Sequence, residues 1–197
     1  MLRLDIPTPL QQEFATVQAL WQSAAETRRV DSLLLSWVKY EKQLRRLFCF
    51  LVYQHPGIEA THIDALLSIL AQDRKLYPET FIEGIRRLGV RPVPELVGER
   101  HDELNRELNR IKDVRNKLMH GQVTGLKIPS RQLERDVRHI VEWIARVGIG
   151  ADAEFGYDGL GRSTFKKAKA VVRRAVAEYP FGGVTEFRAW LRRLCNG

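Results

Sequence analysis

This chain is poor in the residues that metal and disulfide chemistry need. Its 197 residues include two cysteines, Cys49 and Cys195, far apart in sequence. That is too few for a disulfide framework, and the spacing is not that of a zinc site. Cys49 lies in an apolar run and is expected to be a reduced core residue. The five histidines, His55, His62, His101, His120 and His139, show no zinc-type spacing either. No metal and no cofactor is therefore expected. Residues 156–161 are dense in glycine but lack the lysine a phosphate loop requires. There is no Gly-x-Ser-x-Gly elbow. Long apolar runs are also missing: residues 33–38 and 47–53 are the longest, against about 20 for a membrane helix. The opening residues carry Asp5 and Pro7 and no long apolar core, so no secretory signal is expected. These absences point to a cytoplasmic protein with reduced thiols. Repeats, low-complexity tracts and alternating strand patterns are absent as well.

What the sequence does have is helical periodicity. Residues 11–27 place Phe14, Val17, Leu20 and Trp21 on one side of an amphipathic helix. Asp31 or Ser32 is suited to cap a longer helix running to about residue 54, where His55-Pro56-Gly57 stops it. Residues 61–72 and 78–88 read as shorter helices, with Pro78 at a first helical position and Gly89 as an exit. Arg91-Pro92-Val93-Pro94 is a stiff connector, and residues 121–129 form a loop. Ser130 is expected to cap a helix over 132–147, with Leu133, Val137, Ile140, Val141 and Ile144 on one face. The expected architecture is all-α, an up-and-down bundle with short additions.

The most informative segment lies between those helices. From residue 97 to residue 120 no proline interrupts, and Leu104, Leu108, Ile111, Val114 and Leu118 recur at steps of three and four. The helix ends in Arg115-Asn116-Lys117-Leu118-Met119-His120, followed by Gly121, a residue suited to a helix exit. Arginine holds a phosphate with two fixed donors. Histidine moves protons near neutral pH. Together they suffice for cutting RNA, because the ribose 2′-hydroxyl supplies the nucleophile. On an ideal helix Arg115 lies roughly 40° from Ile111, inside the apolar stripe, where a guanidinium calls for an anionic partner. Asn116 and His120 are four apart and so are neighbours. Arg115 and His120 stand about 140° apart, so they converge only if the last turn deviates or a second chain brings its own pair.

Arg115, Asn116 and His120, in an Arg-Asn-x-x-x-His-Gly order late in a helical domain, resemble the signature of the HEPN superfamily. The resemblance covers residues 31–148. It implies an all-α bundle that acts as a metal-independent endoribonuclease of toxin–antitoxin or antiviral systems. It further implies a homodimer with both motifs facing one cleft, and an antitoxin or regulatory protein as a partner. Some members of the superfamily are inactive and only bind nucleotides, RNA or partners.

Glu41 falls in the stripe formed by Trp37, Leu44, Phe48 and Leu51. A carboxylate there needs a donor, and Arg115 is the matching misfit on the motif helix. The pair is either a structural ion pair or a support that orients Arg115.

Residues beyond the bundle change character. The expected organisation is an N-terminal helix over 1–30, a helical domain over 31–148, a glycine-rich linker over 149–161 and a basic helical extension over 162–197. In the extension Ser163 or Thr164 is expected to begin a helix bearing Lys166, Lys167, Lys169, Arg173 and Arg174. A second helix follows Gly182-Gly183 with Arg188, Arg192 and Arg193, and Glu178 and Glu186 are the acids of the stretch. The whole chain carries a net charge of +8, much of it here. Such a patch attracts phosphate backbones without reading sequence, although a solvated helix face is the ordinary reading of a charge run. Phe165, Phe181, Phe187 and Trp190 are read as the apolar sides of these helices rather than base-stacking platforms.

The roles expected on the HEPN resemblance are catalytic for Arg115, Asn116 and His120, supporting for Glu41, and RNA-binding for Lys112, Lys117, Lys166, Lys167, Lys169 and Arg173. Arg115 holds the scissile phosphate, and His120, assisted by Asn116, exchanges protons with the 2′-hydroxyl or the departing 5′-oxygen. The alternatives are a catalytically silent module of the same kind that binds RNA, nucleotide or a protein, or a basic helical DNA-binding or scaffold protein.

Overall fold

The computed structural model describes residues 4–72, 76–120, 128–161, 164–178 and 181–196. Among them every regular element is helical. The α-helices are α1 (Ala15–Gln22), α2 (Arg28–Val52), α3 (Ile63–Gln72), α4 (Pro78–Arg87), α5 (Val93–Val97), α6 (His101–Met119), α7 (Ser130–Phe155), α8 (Ala170–Ala177) and α9 (Val184–Asn196). Short 3-10 turns cover Thr8–Leu10, Ala60–His62 and Gly98–Arg100. No described helix is long and apolar enough to cross a membrane. The chain divides into two compact units, Met1–Tyr40 with Val97–Val147, and Glu41–Leu96 with Gly148–Gly197.

The first unit is built on apolar faces legible in the sequence. Phe14, Val17 and Trp21 are buried, as are Leu33 and Trp37 of α2 and Leu104, Leu108 and Ile111 of α6. On α7 the expected face of Leu133, Val137, Ile140, Val141 and Ile144 is buried throughout. Each such side chain contributes about 1.5–3 kcal/mol through its removal from water. Helix α2 starts at Arg28, earlier than Asp31 or Ser32. Asp31 lies in its first turn and accepts a hydrogen bond from Thr27 Oγ1 at 2.8 Å, a placement the helix dipole favours. Arg29 lies over the Trp21 ring, its Cζ 3.6 Å from the centroid, and donates to the Trp21 carbonyl at 3.1 Å. The first helix is shorter than the sequence pattern suggests, because a 3-10 turn occupies Thr8–Leu10 and α1 begins only at Ala15. The motif helix is likewise shorter at its start. Gly98 takes a positive φ of 77°, which separates α5 from α6.

Residues 148–197 depart furthest from expectation. Helix α7 runs through Gly148 and Gly150 to Phe155, so residues 149–161 are not a linker in their first half. These glycines serve close packing. A Cβ at Gly150 would stand 2.5 Å from the Leu96 carbonyl oxygen, and one at Gly148 would stand 3.3 Å from Gln43 Nε2. Gly159 combines a φ of 78° with Gln43 and Leu47 side chains 2.8 Å from its missing Cβ. Arg46 then holds the following segment. It donates to the Leu160 carbonyl at 2.9 Å, to the Gly161 carbonyl and to Thr164 Oγ1 at 3.2 Å.

The expected helix from Ser163 or Thr164 is corrected too. Residues 164–169 are irregular and α8 starts at Ala170. Gln54 explains the extended path: its amide donates to the Lys166 carbonyl at 3.1 Å and accepts from the Ala168 N–H at 2.7 Å. Nor is 162–197 an extension in the structural sense. Phe181, Phe187 and Trp190 are buried with Phe48 and Phe81. Phe48 stacks on Trp190 at 6.1 Å between centroids, and Phe181 meets Phe187 edge-on at 5.4 Å. These rings form the core of the second unit, in line with their reading as apolar helix sides.

Candidate active site

Helix α6 carries the motif, and its burial falls along its length. Leu104, Leu108 and Ile111 are buried, whereas Val114 and Leu118 are half-buried and Met119 is 59% exposed. The stripe thins as the helix reaches Arg115 and His120. This leaves polar groups accessible at the end of a helix anchored at its start. Arg100 donates to both Glu142 carboxylate oxygens, at 2.7 and 2.8 Å. Arg110 pairs with the fully buried Asp136, which also accepts from Gln132 at 2.7 Å. The Asp136 hydrogen bond raises the Arg110 pKa and holds that guanidinium charged. Two cross-links from α6 to α7 thus fix the position of the motif helix.

At the motif itself Arg115 is half-buried and donates Nη1 to Asn116 Oδ1 at 2.9 Å. His120 is exposed and stands as the residue that ends α6, with φ −93° and ψ 10°. Its backbone N–H bonds the Asn116 carbonyl at 3.1 Å. Asn116 therefore joins the two, to Arg115 by its side chain and to His120 by its main chain. The sequence reading made Asn116 a helper of the His120 ring; the side-chain bond observed is to Arg115 instead. Gly121 and the loop to residue 127 lie outside the described residues. Lys112 is half-buried and Lys117 exposed on the same helix.

Glu41 is half-buried and belongs to the second unit, whereas Arg115 belongs to the first. Among the tail cations, three lysines are engaged within the second unit. Lys167 Nζ donates to the Tyr53 carbonyl at 3.1 Å and lies 4.2 Å from the centre of the Tyr53 ring. Lys169 Nζ donates to the Ala153 carbonyl at 3.2 Å. Tyr53 and Ala153 stand at the C-terminal ends of α2 and α7, where carbonyls lack helical partners and a cation is favoured. Lys166 lies 5.5 Å from the Tyr157 ring centre. Arg173 and its neighbour Arg174 are exposed on α8.

One further cluster was not legible in the histidine spacing. Glu107, Asp136 and His139 bring their ligand atoms within 4.8 Å of one another. The same carboxylates are bonded by Arg110, to Asp136 and, at 3.0 Å, to Glu107. The guanidinium supplies the positive charge that this set calls for, so the cluster is an ion-pair network.

Set against known protein-family models, curated proteins and solved structures, the chain matches none.

Proposed function

We propose that this protein is a metal-independent endoribonuclease of the HEPN kind, acting in a toxin–antitoxin or antiviral defence system. The observation that supports the reading is the end of α6. A half-buried arginine is held by the adjacent asparagine, and a histidine is exposed at the helix terminus.

The chemistry follows from these groups. The 2′-oxygen attacks the neighbouring phosphorus while the bond from phosphorus to the 5′-oxygen breaks. One His120 takes the 2′-hydroxyl proton, and a second imidazole or water returns a proton to the leaving 5′-oxygen. Arg115 stabilises the added negative charge on the phosphoryl oxygens. The products are a 2′,3′-cyclic phosphate and a 5′-hydroxyl. The separation of Arg115 and His120 by about 140° on one helix favours a homodimer, in which the second chain supplies the acid.

Purified protein is to be incubated with labelled single-stranded RNA in EDTA. Cleavage is expected to persist and to vanish in both His120→Ala and Arg115→Ala, with the helical circular-dichroism signal unchanged. Mixing the two inactive variants is expected to restore partial activity through heterodimers. Full activity in His120→Ala removes this mechanism. Strict dependence on magnesium assigns the protein to a different nuclease class.

A further inference from the structure

The tail cations divide by environment. Lys167 and Lys169 spend a proton each on helix-end carbonyls, and Lys166 lies on a tyrosine ring. A groove of about 420 Å³ lies beside them, lined by Gln54, Pro56, Lys167, Ala170, Arg173 and Arg174, with Ala177 at its end. Three of these side chains are cations and none is an acid. Neither arginine has a side-chain hydrogen bond or ion pair among the described residues. Lys167 is pinned in place by Tyr53 and keeps further N–H donors for another acceptor.

The local electrostatics are uncompensated. Burial and the Arg173 charge both lower the Lys167 pKa, and only Glu59 acts in the other direction. The first turn of α8 adds partial positive charge: it holds no acidic residue, and Lys169 at its N-cap forms no side-chain cap. An anion in the groove would relieve the mutual repulsion of three cations and accept from two planar guanidinium groups. Phosphate oxygens match that donor set.

We propose that the α8 groove of the second unit binds a backbone phosphate of an RNA strand. Arg173 and Arg174 provide the grip, and Lys167 forms the fixed floor. This rests on the RNA reading above but moves the contact from the lysine run to the adjacent arginines. The groove carries no base-reading groups other than Gln54, whose amide is already bonded to the chain, so it strengthens binding without choosing the sequence.

The test is a salt titration of oligouridylate binding by the full-length chain, followed by fluorescence anisotropy. Arg173→Gln/Arg174→Gln is compared with Arg192→Gln/Arg193→Gln, which removes the same charge from α9. Ala170→Glu is a third variant; a carboxylate suits the first turn of α8, so it keeps the helix while blocking the groove. The groove variants are expected to lose affinity about tenfold. Their log–log salt slope is expected to fall by roughly 1.4, or 0.7 for each of two lost phosphate contacts. The α9 variant is expected to change far less. Equal losses in all variants overturn the groove as a site, and so does an unchanged slope in Arg173→Gln/Arg174→Gln. Cleavage is read separately. RNA bound through the groove but never cut overturns the nuclease reading alone. RNA cut at the usual sites and bound equally well by the groove variants overturns the groove alone.

Discussion

Arg115 donates a hydrogen bond to Asn116 Oδ1 at 2.9 Å, so the two adjacent residues of the motif act on each other rather than on separate partners. The bond fixes the guanidinium plane before any substrate arrives. Preorganised donors are the ones that contribute most in a transition state.

Asn116→Ala is accordingly expected to slow RNA cleavage by about ten- to a hundredfold, the range for losing one hydrogen bond to a charged group. The loss is expected in substrate affinity and rate together, with the pH profile unchanged, because the proton-transferring group is His120. A shifted pH optimum in Asn116→Ala would instead return Asn116 to the His120 ring. Steady-state kinetics between pH 5 and pH 9 distinguish the two.

The all-α class was legible because the apolar stripes of α2, α6 and α7 recur at helical spacing over many turns. The motif was legible because Arg115, Asn116 and His120 are local in sequence. What the sequence hid was long-range. Nothing local to residues 149–161 tells a flexible glycine from one pressed against a neighbour. The distinction at Gly150 is made by Leu96, over fifty residues away. The same holds for Lys167 and Lys169. A run of lysines reads as a solvated patch until Tyr53 and Ala153 are seen at their ends. Arg174 and Gln54 were missed as groove residues for the same reason, although the Arg173-Arg174 pair was visible as a doublet.

Gly150 offers a test with opposing signs. Inside a helix, glycine to alanine normally stabilises by about 1 kcal/mol. Here the new Cβ would stand 2.5 Å from the Leu96 carbonyl oxygen, and backbone cannot step aside as a flexible side chain can. Overpacking of that kind costs about 1–3 kcal/mol. Gly150→Ala is expected to be destabilising overall, by about 1 kcal/mol or more once the propensity gain is offset. A urea midpoint above the wild-type value would show that residues 149–155 are less tightly packed than the structure has them.

The two cysteines give a pH-dependent readout of the second unit. Burial pushes the Cys49 thiol up to about 12, against the opposing pull of the Arg45 and Arg46 charges. Cys195 is half-exposed. At pH 8 a disulfide reagent such as DTNB is expected to titrate one thiol in the native protein, Cys195, and both in denaturant. Cysteine in an unfolded chain titrates near pH 8.5 by general reference. Above that pH the unfolded chain releases a proton that native Cys49 retains up to about 12. Stability from this group is therefore complete below about pH 8.5 and falls as pH rises through that window. Cys49→Ala is expected to lose stability at neutral pH by removing buried volume, yet to show a shallower alkaline decline than wild type. Urea unfolding at pH 7.5 and pH 10 measures both. Parallel declines in the two proteins, or fast modification of Cys49 in the native state, would contradict a sealed site around this thiol.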